Sequence, residues 1–171
     1  MKIAIIGYSG SGKSTLAQEL GTKLDASVLH LDRLHWLPGW KERAREDELN
    51  MLGDFLDENS SWIIDGNYRS LYFERRMEEA DSIIFMDFNR FACLSRAYKR
   101  YKTYKGKVRS SITEGCDEKI DLEFFLWLVW RGRTKKRRRL FLDTLKNHSN
   151  KTTVIRNQRE LDAFRKKQGL S

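Results

Sequence analysis

Residues 7–14 read Gly-Tyr-Ser-Gly-Ser-Gly-Lys-Ser and match the phosphate-binding pattern G-x-x-x-x-G-K-[ST]. The glycines allow the backbone to bend around a phosphate, so that successive amide N–H groups point at the anion. Lys13 would reach the β- and γ-phosphates of ATP, and the Ser14 hydroxyl would ligate Mg²⁺. The alternative is a glycine turn that binds nothing. The nucleotide-binding residues predicted in this loop are Gly7, Ser9, Gly10, Ser11, Gly12, Lys13, Ser14 and Thr15.

Two carboxylates follow strand-like apolar runs and are predicted to lie beside this loop. Asp65 ends the run 62–64, a position from which it would hold Mg²⁺ together with Ser14. An Asp at a strand end is also a common turn former. Asp32 follows the run 28–31 and would orient or deprotonate an acceptor hydroxyl. The alternatives for Asp32 are a second magnesium contact or a helix N-cap.

Aromatic and basic side chains close to these carboxylates are candidates for an acceptor site. Trp36 and Trp40 would form the walls of a pocket for a base or sugar, although core packing explains two tryptophans equally well. Arg69 follows Asp65 closely and would bind a phosphate or carboxylate of the acceptor. The predicted acceptor-binding residues are Asp32, Trp36, Trp40, Asp65 and Arg69.

Arginines are expected to stabilise the transferred phosphoryl group. The transition state spreads negative charge over oxygens that a guanidinium group binds in bidentate geometry. Residues 105–120 are polar and lack a hydrophobic period, which predicts a loop or mobile flap that would close over the phosphates and exclude water. Arg96 and Arg100 precede this flap and Arg109 lies in it, but most single arginines here are expected to be solvated surface charges. The predicted catalytic residues are Lys13, Asp32, Arg133 and Arg137.

Strand-like and helix-like segments alternate along the chain. The strand-like runs are 3–6, 27–31, 62–64, 82–88 and 152–155. The helix-like segments are 14–24, 41–58, 89–104 and 121–147. This alternation predicts an α/β fold of three layers, in which a five-stranded parallel sheet has helices on both faces. We expect a single domain, residues 1–171, with a lid-like insertion at 105–133.

The composition indicates a globular and strongly basic protein. The chain has 171 residues and a net charge of +9, and its cations crowd into segment 131–139. Such charge suits either polyphosphorylated ligands or DNA. Cys93 and Cys116 fit neither a disulfide framework nor a zinc pattern, which favours a cytoplasmic location. The longest apolar run, 124–130, is too short to cross a membrane, and the first strand leaves no room for a signal peptide.

Four motifs resemble those of a known family. They are LDxxxWxPGW, DGNY, EGCDEK and RNQxELxxF, and together they span residues 31–164. The combination is similar to the bacterial adenylate-kinase-related proteins known as DNA topology modulation proteins, of the FlaR type. The resemblance implies an adenylate-kinase-like P-loop fold with a mobile lid, and an effect on DNA supercoiling.

Shorter segments resemble small-molecule kinases of the same branch. The stretch Asp65-Gly66-Asn67-Tyr68-Arg69 is similar to the D-G-F-P-R strand end of nucleoside monophosphate kinases, where the Arg grips the acceptor phosphate; it departs at Asn67 and Tyr68. Asp32 matches the second acid of the D-x-D found in shikimate and dephospho-coenzyme A kinases. In the related kinases the loop after the last strand covers the adenine ring. That resemblance implies nucleotide-binding roles for Arg156 and Asn157.

These features favour a Mg²⁺-dependent kinase that transfers the γ-phosphoryl group of ATP to a small acceptor, which is nucleotide-, nucleoside- or metabolite-like. The alternative is a nucleotide-dependent DNA-binding or DNA topology modulation protein that contacts DNA through the basic segment 131–139. No membrane partner is expected. The sequence leaves the acceptor and the oligomeric state open.

Overall fold

A computed structural model provides the structure of the protein and describes residues 1–104, 111–116 and 121–170. The strands are β1 (Lys2–Gly7), β2 (Ser27–His30), β3 (Trp36–Leu37), β4 (Lys41–Glu42), β5 (Trp62–Asp65), β6 (Ser82–Met86) and β7 (Thr152–Ile155). Five of them pair in parallel to form one sheet in the order β2-β5-β1-β6-β7. Strands β3 and β4 form a separate antiparallel hairpin.

Helices flank the sheet. They are α1 (Lys13–Leu24), α2 (Leu31–His35), α3 (Arg45–Glu58), α4 (Phe73–Glu79), α5 (Arg90–Tyr104), α6 (Leu122–Val129), α7 (Lys135–Asn147) and α8 (Gln158–Gln168). Short 3₁₀ turns at Arg131–Arg133 and Ser149–Lys151 precede α7 and β7, respectively. None of the described helices is long and apolar enough to cross a membrane.

The core lies along the central strands. Ile5, Ile63 and Ile84 are almost completely buried, because helices cover a parallel sheet on both faces and its inner strands are therefore apolar throughout. The register pairs Ile5 of β1 with Asp65 of β5, and Asp65 in turn pairs with His30 of β2. The carboxyl ends of these three strands therefore meet at one edge of the sheet.

The predicted α/β class and five-stranded parallel sheet are confirmed. Two helical predictions need correction. Segment 41–58 begins as strand β4 and becomes helical only at Arg45. Segment 121–147 is not continuous, because a 3₁₀ turn separates α6 from α7 and the Thr134 side chain caps α7 by accepting from Arg137 N. Asp32 lies in the first turn of α2.

Residues 111–116 of the predicted flap pack against the β3–β4 hairpin. Thr113 Oγ1 donates to Trp36 O at 2.5 Å, and Cys116 Sγ donates to Leu37 O at 3.3 Å. Gly39 N donates to Gly115 O at 3.0 Å. The remainder of segment 105–120, with Arg109, lies outside the described residues, and the single domain with a lid-like insertion at 105–133 stays a prediction.

Candidate functional site

The glycine loop between β1 and α1 adopts a backbone that only glycine accepts readily. Gly7, Gly10 and Gly12 have φ angles of 143°, 75° and 97°, in the region that side chains disfavour. A Cβ at Gly7 would lie 2.5 Å from the Met86 carbonyl oxygen, and one at Gly10 would lie 2.6 Å from that of Cys93. Close packing of the loop against β6 and α5 therefore fixes its shape.

Lys13 points back into this loop. Its Nζ donates to the carbonyl oxygens of Gly7 and Tyr8, both at 3.0 Å. Burial lowers the pKa of Lys13, and the charges of Asp65 and Asp32 oppose that shift.

Ser14 and Asp65 form the pair of oxygen ligands that a magnesium ion would need. Ser14 Oγ donates to Asp65 Oδ2 at 2.8 Å, and the other carboxylate oxygen of Asp65 bonds to His30 Nδ1. A hydroxyl and one carboxylate suit Mg²⁺, which completes its shell with water and substrate phosphates. In the described part of the chain, no group of three or more His, Cys, Asp or Glu side chains forms a larger metal site.

The loop also contains an unpaired hydroxyl that suits an anion. Ser11 is fully buried, and its Oγ has no hydrogen-bond partner among the described residues. A buried polar atom without a partner is costly, and a phosphate oxygen in the loop would be an acceptor for it. The residues present therefore fit both a nucleotide phosphate and Mg²⁺.

Asn67 ties the residues after β5 to the start of the loop. Gly7 N donates to Asn67 Oδ1 at 3.0 Å, and Asn67 Nδ2 donates to Gly7 O at 2.6 Å. The side-chain amide thus satisfies both polar groups of the Gly7 backbone and continues the β1–β5 ladder beyond Asp65. This contact explains the Asn in DGNY.

Asp32 belongs to a second polar cluster beside the first. Tyr68 Oη donates to Asp32 Oδ1 at 2.8 Å. The Tyr68 ring lies 4.8 Å from the His35 ring, and His35 Nδ1 bonds to Glu48 Oε1 at 2.5 Å. Trp36 stacks edge-on against His35, with ring centroids 4.6 Å apart. The cluster comes from α2, β3, α3 and the segment after β5.

Arg76 hydrogen-bonds to the backbone of the segment after β5. Its guanidinium group donates to the carbonyl oxygens of Leu71, Gly66 and Tyr68 at 2.9, 3.4 and 2.8 Å. Arg76 is fully buried, and burial lowers its pKa to about 10. The position of the DGNY residues therefore depends on a cation inside the protein.

Arg96 and Gln158 connect the glycine loop to the start of α8. Arg96 Nη1 donates to Ser11 O, and Nη2 donates to Gln158 Oε1. The guanidinium carbon of Arg96 lies 4.0 Å from the centre of the Phe88 ring. One arginine thus touches both the loop and the segment after β7.

The predicted catalytic arginines Arg133 and Arg137 both lie near the glycine loop, and both are engaged there. The Arg133 guanidinium stacks 3.8 Å above the Tyr8 ring and donates to Phe88 O at 2.8 Å. Arg137 stacks 4.3 Å above the ring of Trp127, whose Nε1 donates to Ser9 Oγ at 3.2 Å. Aromatic rings therefore connect both cations to the loop.

Several other predicted residues are placed away from this cluster or bonded elsewhere. Arg69 is exposed and lines a cleft of about 300 Å³ between α4 and α7. Asn157 caps α8, accepting from Glu160 N at 2.9 Å, and Arg156 N donates to Glu160 Oε2. Thr15 is exposed on α1. Trp40 is half-buried with its ring 5.5 Å from that of Trp36.

The predicted site omits some side chains that the structure brings together. They are His30, Asn67, Tyr68, Arg96 and Trp127. The sequence does hold a signal for three of them. Asn67 and Tyr68 are the two positions that depart from the D-G-F-P-R pattern, and His30 is a polar residue at the end of strand β2. No local pattern in the sequence distinguishes Trp127 from the other aromatic residues of α6.

The sheet order and the glycine loop define a P-loop kinase-like fold. A protein-family model described as an AAA domain matches residues 3–121, and the chain belongs to that family. None of the curated protein sequences matches the chain.

Three solved structures show the same fold at low sequence identity. Deoxyadenosine kinase from M. mycoides with bound dATP is 15% identical, with a TM-score of 0.56 over 99% of this chain and 100% of that chain. TT1252 from Thermus thermophilus is 16% identical, with a TM-score of 0.53 over 92% and 88%. Shikimate kinase from Acinetobacter baumannii in complex with shikimate is 13% identical, with a TM-score of 0.50 over 99% and 91%.

Proposed function

We propose that this protein is a Mg²⁺-dependent kinase that transfers the γ-phosphoryl group of ATP to a hydroxyl of a small acceptor. The observation that carries the proposal is the convergence of three groups at one edge of the sheet. Lys13 lies in the glycine loop, Ser14 Oγ and Asp65 Oδ2 are 2.8 Å apart beside it, and Asp32 follows His30, the residue that pairs with Asp65 between β2 and β5. This set supplies a phosphate ligand, a metal site and a proton acceptor.

Each residue has a defined part in the proposed transfer. Lys13 would exchange its bonds to Gly7 and Tyr8 for the β- and γ-phosphates. Asp32 accepts the proton of the acceptor hydroxyl while that oxygen bonds to the γ-phosphorus, and the bond to the leaving ADP oxygen breaks. Ser14 and Asp65 would hold Mg²⁺, which neutralises charge on the phosphates when bound. Positioning and electrostatics supply most of the catalysis.

Arg133 and Arg137 are proposed to assist the transfer. Arg133 donates to Leu128 O, Phe88 O and Cys93 Sγ and stacks on the Tyr8 ring, and Arg137 stacks on the Trp127 ring. A phosphate is a stronger partner for a guanidinium group than any of these. We propose that both turn toward the phosphates when nucleotide binds, and that Arg156 and Asn157 border its base.

The fold supports this class of reaction without naming the acceptor. Two of the similar structures are a deoxyadenosine kinase and a shikimate kinase. Fold analogy alone does not transfer a substrate. Asp32, Trp36 and Trp40, with Asp65 and Arg69, are the residues proposed to line the acceptor site.

A second candidate rests on the exposed cations of α7. Lys135, Lys136, Arg138 and Arg139 are all exposed on this helix, and such a strip can neutralise DNA phosphates. The resemblance of the four sequence motifs to DNA topology modulation proteins points the same way. On this proposal the nucleotide would control DNA binding through segment 131–139.

One experiment separates the two candidates. We expect Mg²⁺-dependent ATP consumption to rise on addition of one compound from a panel of nucleosides, nucleoside monophosphates, sugars and hydroxy-acids. Lys13→Ala should lower that rate at least a hundredfold, since it removes the phosphate-binding cation. Lys23→Ala is the matched control, because Lys23 is an exposed lysine of the same helix. Stimulation by supercoiled DNA alone would favour the DNA candidate, and no stimulation by any compound would contradict the kinase.

A further inference from the structure

We infer that Tyr68 is a positioning residue that holds Asp32 in the orientation needed to accept a proton from the acceptor. This inference rests on the proposed kinase function. The direct evidence is the hydrogen bond from Tyr68 Oη to Asp32 Oδ1, which measures 2.8 Å and joins the segment after β5 to the first turn of α2.

The Tyr68 hydroxyl donates to Asp32 and is protonated at neutral pH. Burial raises the pKa of Tyr68 far above its usual range, and the charge and hydrogen bond of Asp32 raise it further. A protonated phenol is a hydrogen-bond donor that a carboxylate can accept.

Two neighbours hold Tyr68 in place. The His35 ring lies 4.8 Å from the Tyr68 ring. Arg76 Nη2 donates to the backbone oxygen of Tyr68 at 2.8 Å. A rotamer fixed in this way places the hydroxyl without further loss of conformational entropy.

The contact divides the two oxygens of Asp32 between two tasks. Oδ1 accepts from Tyr68, whereas within the described ranges no hydrogen bond to Oδ2 is seen. With one oxygen anchored, the carboxylate cannot rotate freely, so Oδ2 is held toward an incoming hydroxyl. This geometry gives the Tyr in DGNY a function that the D-G-F-P-R pattern does not contain.

The test compares Tyr68→Phe with Tyr72→Phe. Tyr72 is an exposed tyrosine on the same segment, so its variant controls for loss of a hydroxyl. We expect Tyr68→Phe to lower kcat for acceptor phosphorylation about tenfold or more, since a hydrogen bond to a charged group is lost. The KM for ATP should stay unchanged, and Tyr72→Phe should behave as wild type. In an Asp32→Asn background, Tyr68→Phe should cause little further loss.

Equilibrium unfolding of wild type, Tyr68→Phe, Asp32→Asn and the double variant tests the contact independently of turnover. A double-mutant cycle of Tyr68→Phe and Asp32→Asn should give a clear coupling free energy. Additive effects in this cycle, or equal kcat values for Tyr68→Phe and Tyr72→Phe, would overturn the inference. If wild type phosphorylates no acceptor, the proposed function fails, whereas the unfolding cycle still decides whether Tyr68 holds Asp32.

Discussion

Asn67 shows how a single amide can join two parts of a site. Its two hydrogen bonds to Gly7 reproduce what a backbone peptide of a neighbouring strand would provide. Gly7 O also accepts from Lys13 Nζ, so Asn67 acts on the residue that binds the lysine. The segment after β5 and the glycine loop are therefore connected through Gly7.

Arg76 supports the backbone of the segment after β5. Arg76→Met would leave the carbonyl oxygens of Gly66, Tyr68 and Leu71 without this donor inside the protein. We expect the free energy of unfolding to fall by about 3 kcal/mol, measured by urea denaturation. Arg75→Met is the control, and it should cost under about 1 kcal/mol because Arg75 makes only partly exposed ion pairs. Equal losses in the two variants would contradict this role for Arg76.

At the scale of elements, strands and the glycine loop were predictable because their signals are local. Apolar β-branched runs identify β1 and β6, and the spacing of glycine and lysine identifies the turn into α1. Strands β3 and β4 have only 2 residues each, which is too short for any periodicity to show.

The contacts within the site could not be predicted in the same way, because they depend on tertiary structure. Asn67 reaches Gly7 only because β5 pairs with β1 in the register that joins Asp65 to Ile5. Tyr68 reaches Asp32 across 36 positions of sequence. The sequence therefore predicts which carboxylates approach the loop, but not the side chains that hold them.

Gly53 of α3 and Gly7 of β1 should respond in opposite ways to substitution by alanine. Gly53 lies within α3, and a Cβ there would meet only the Tyr72 ring, at an ordinary contact of 3.8 Å. Gly53→Ala should therefore raise the free energy of unfolding by about 0.5–1 kcal/mol, or roughly 1–4 °C in Tm. Gly7→Ala should instead lower stability by about 2 kcal/mol or more, because its φ is 143° and the Met86 backbone is in the way. Calorimetry that ranked the two variants in the opposite order would refute this assignment.

At the scale of the whole molecule, side chains from the C-terminal half of the chain contact the glycine loop. Trp127 of α6 contacts Ser9, Arg133 contacts Tyr8, and Arg96 of α5 contacts Ser11. Three segments that follow one another along the chain, α5, α6 and the 3₁₀ turn Arg131–Arg133, thus contact one short loop. We therefore expect a phosphate that enters the loop to alter these contacts.

Trp127 should report that change directly. The indole Nε1 of Trp127 donates to Ser9 Oγ at 3.2 Å, and the Arg137 guanidinium stacks on its ring. Binding of Mg·ATP should therefore change the fluorescence emission of Trp127. We expect tryptophan fluorescence to shift on titration with ATP, and Trp127→Phe to remove most of that shift. Trp130→Phe is the control, since Trp130 is 74% exposed, and it should retain the shift. Calorimetric titration must show that Trp127→Phe still binds ATP. An undiminished fluorescence change in that variant would mean that nucleotide binding leaves α6 undisturbed, and the proposed turning of Arg137 toward the phosphates would then fail.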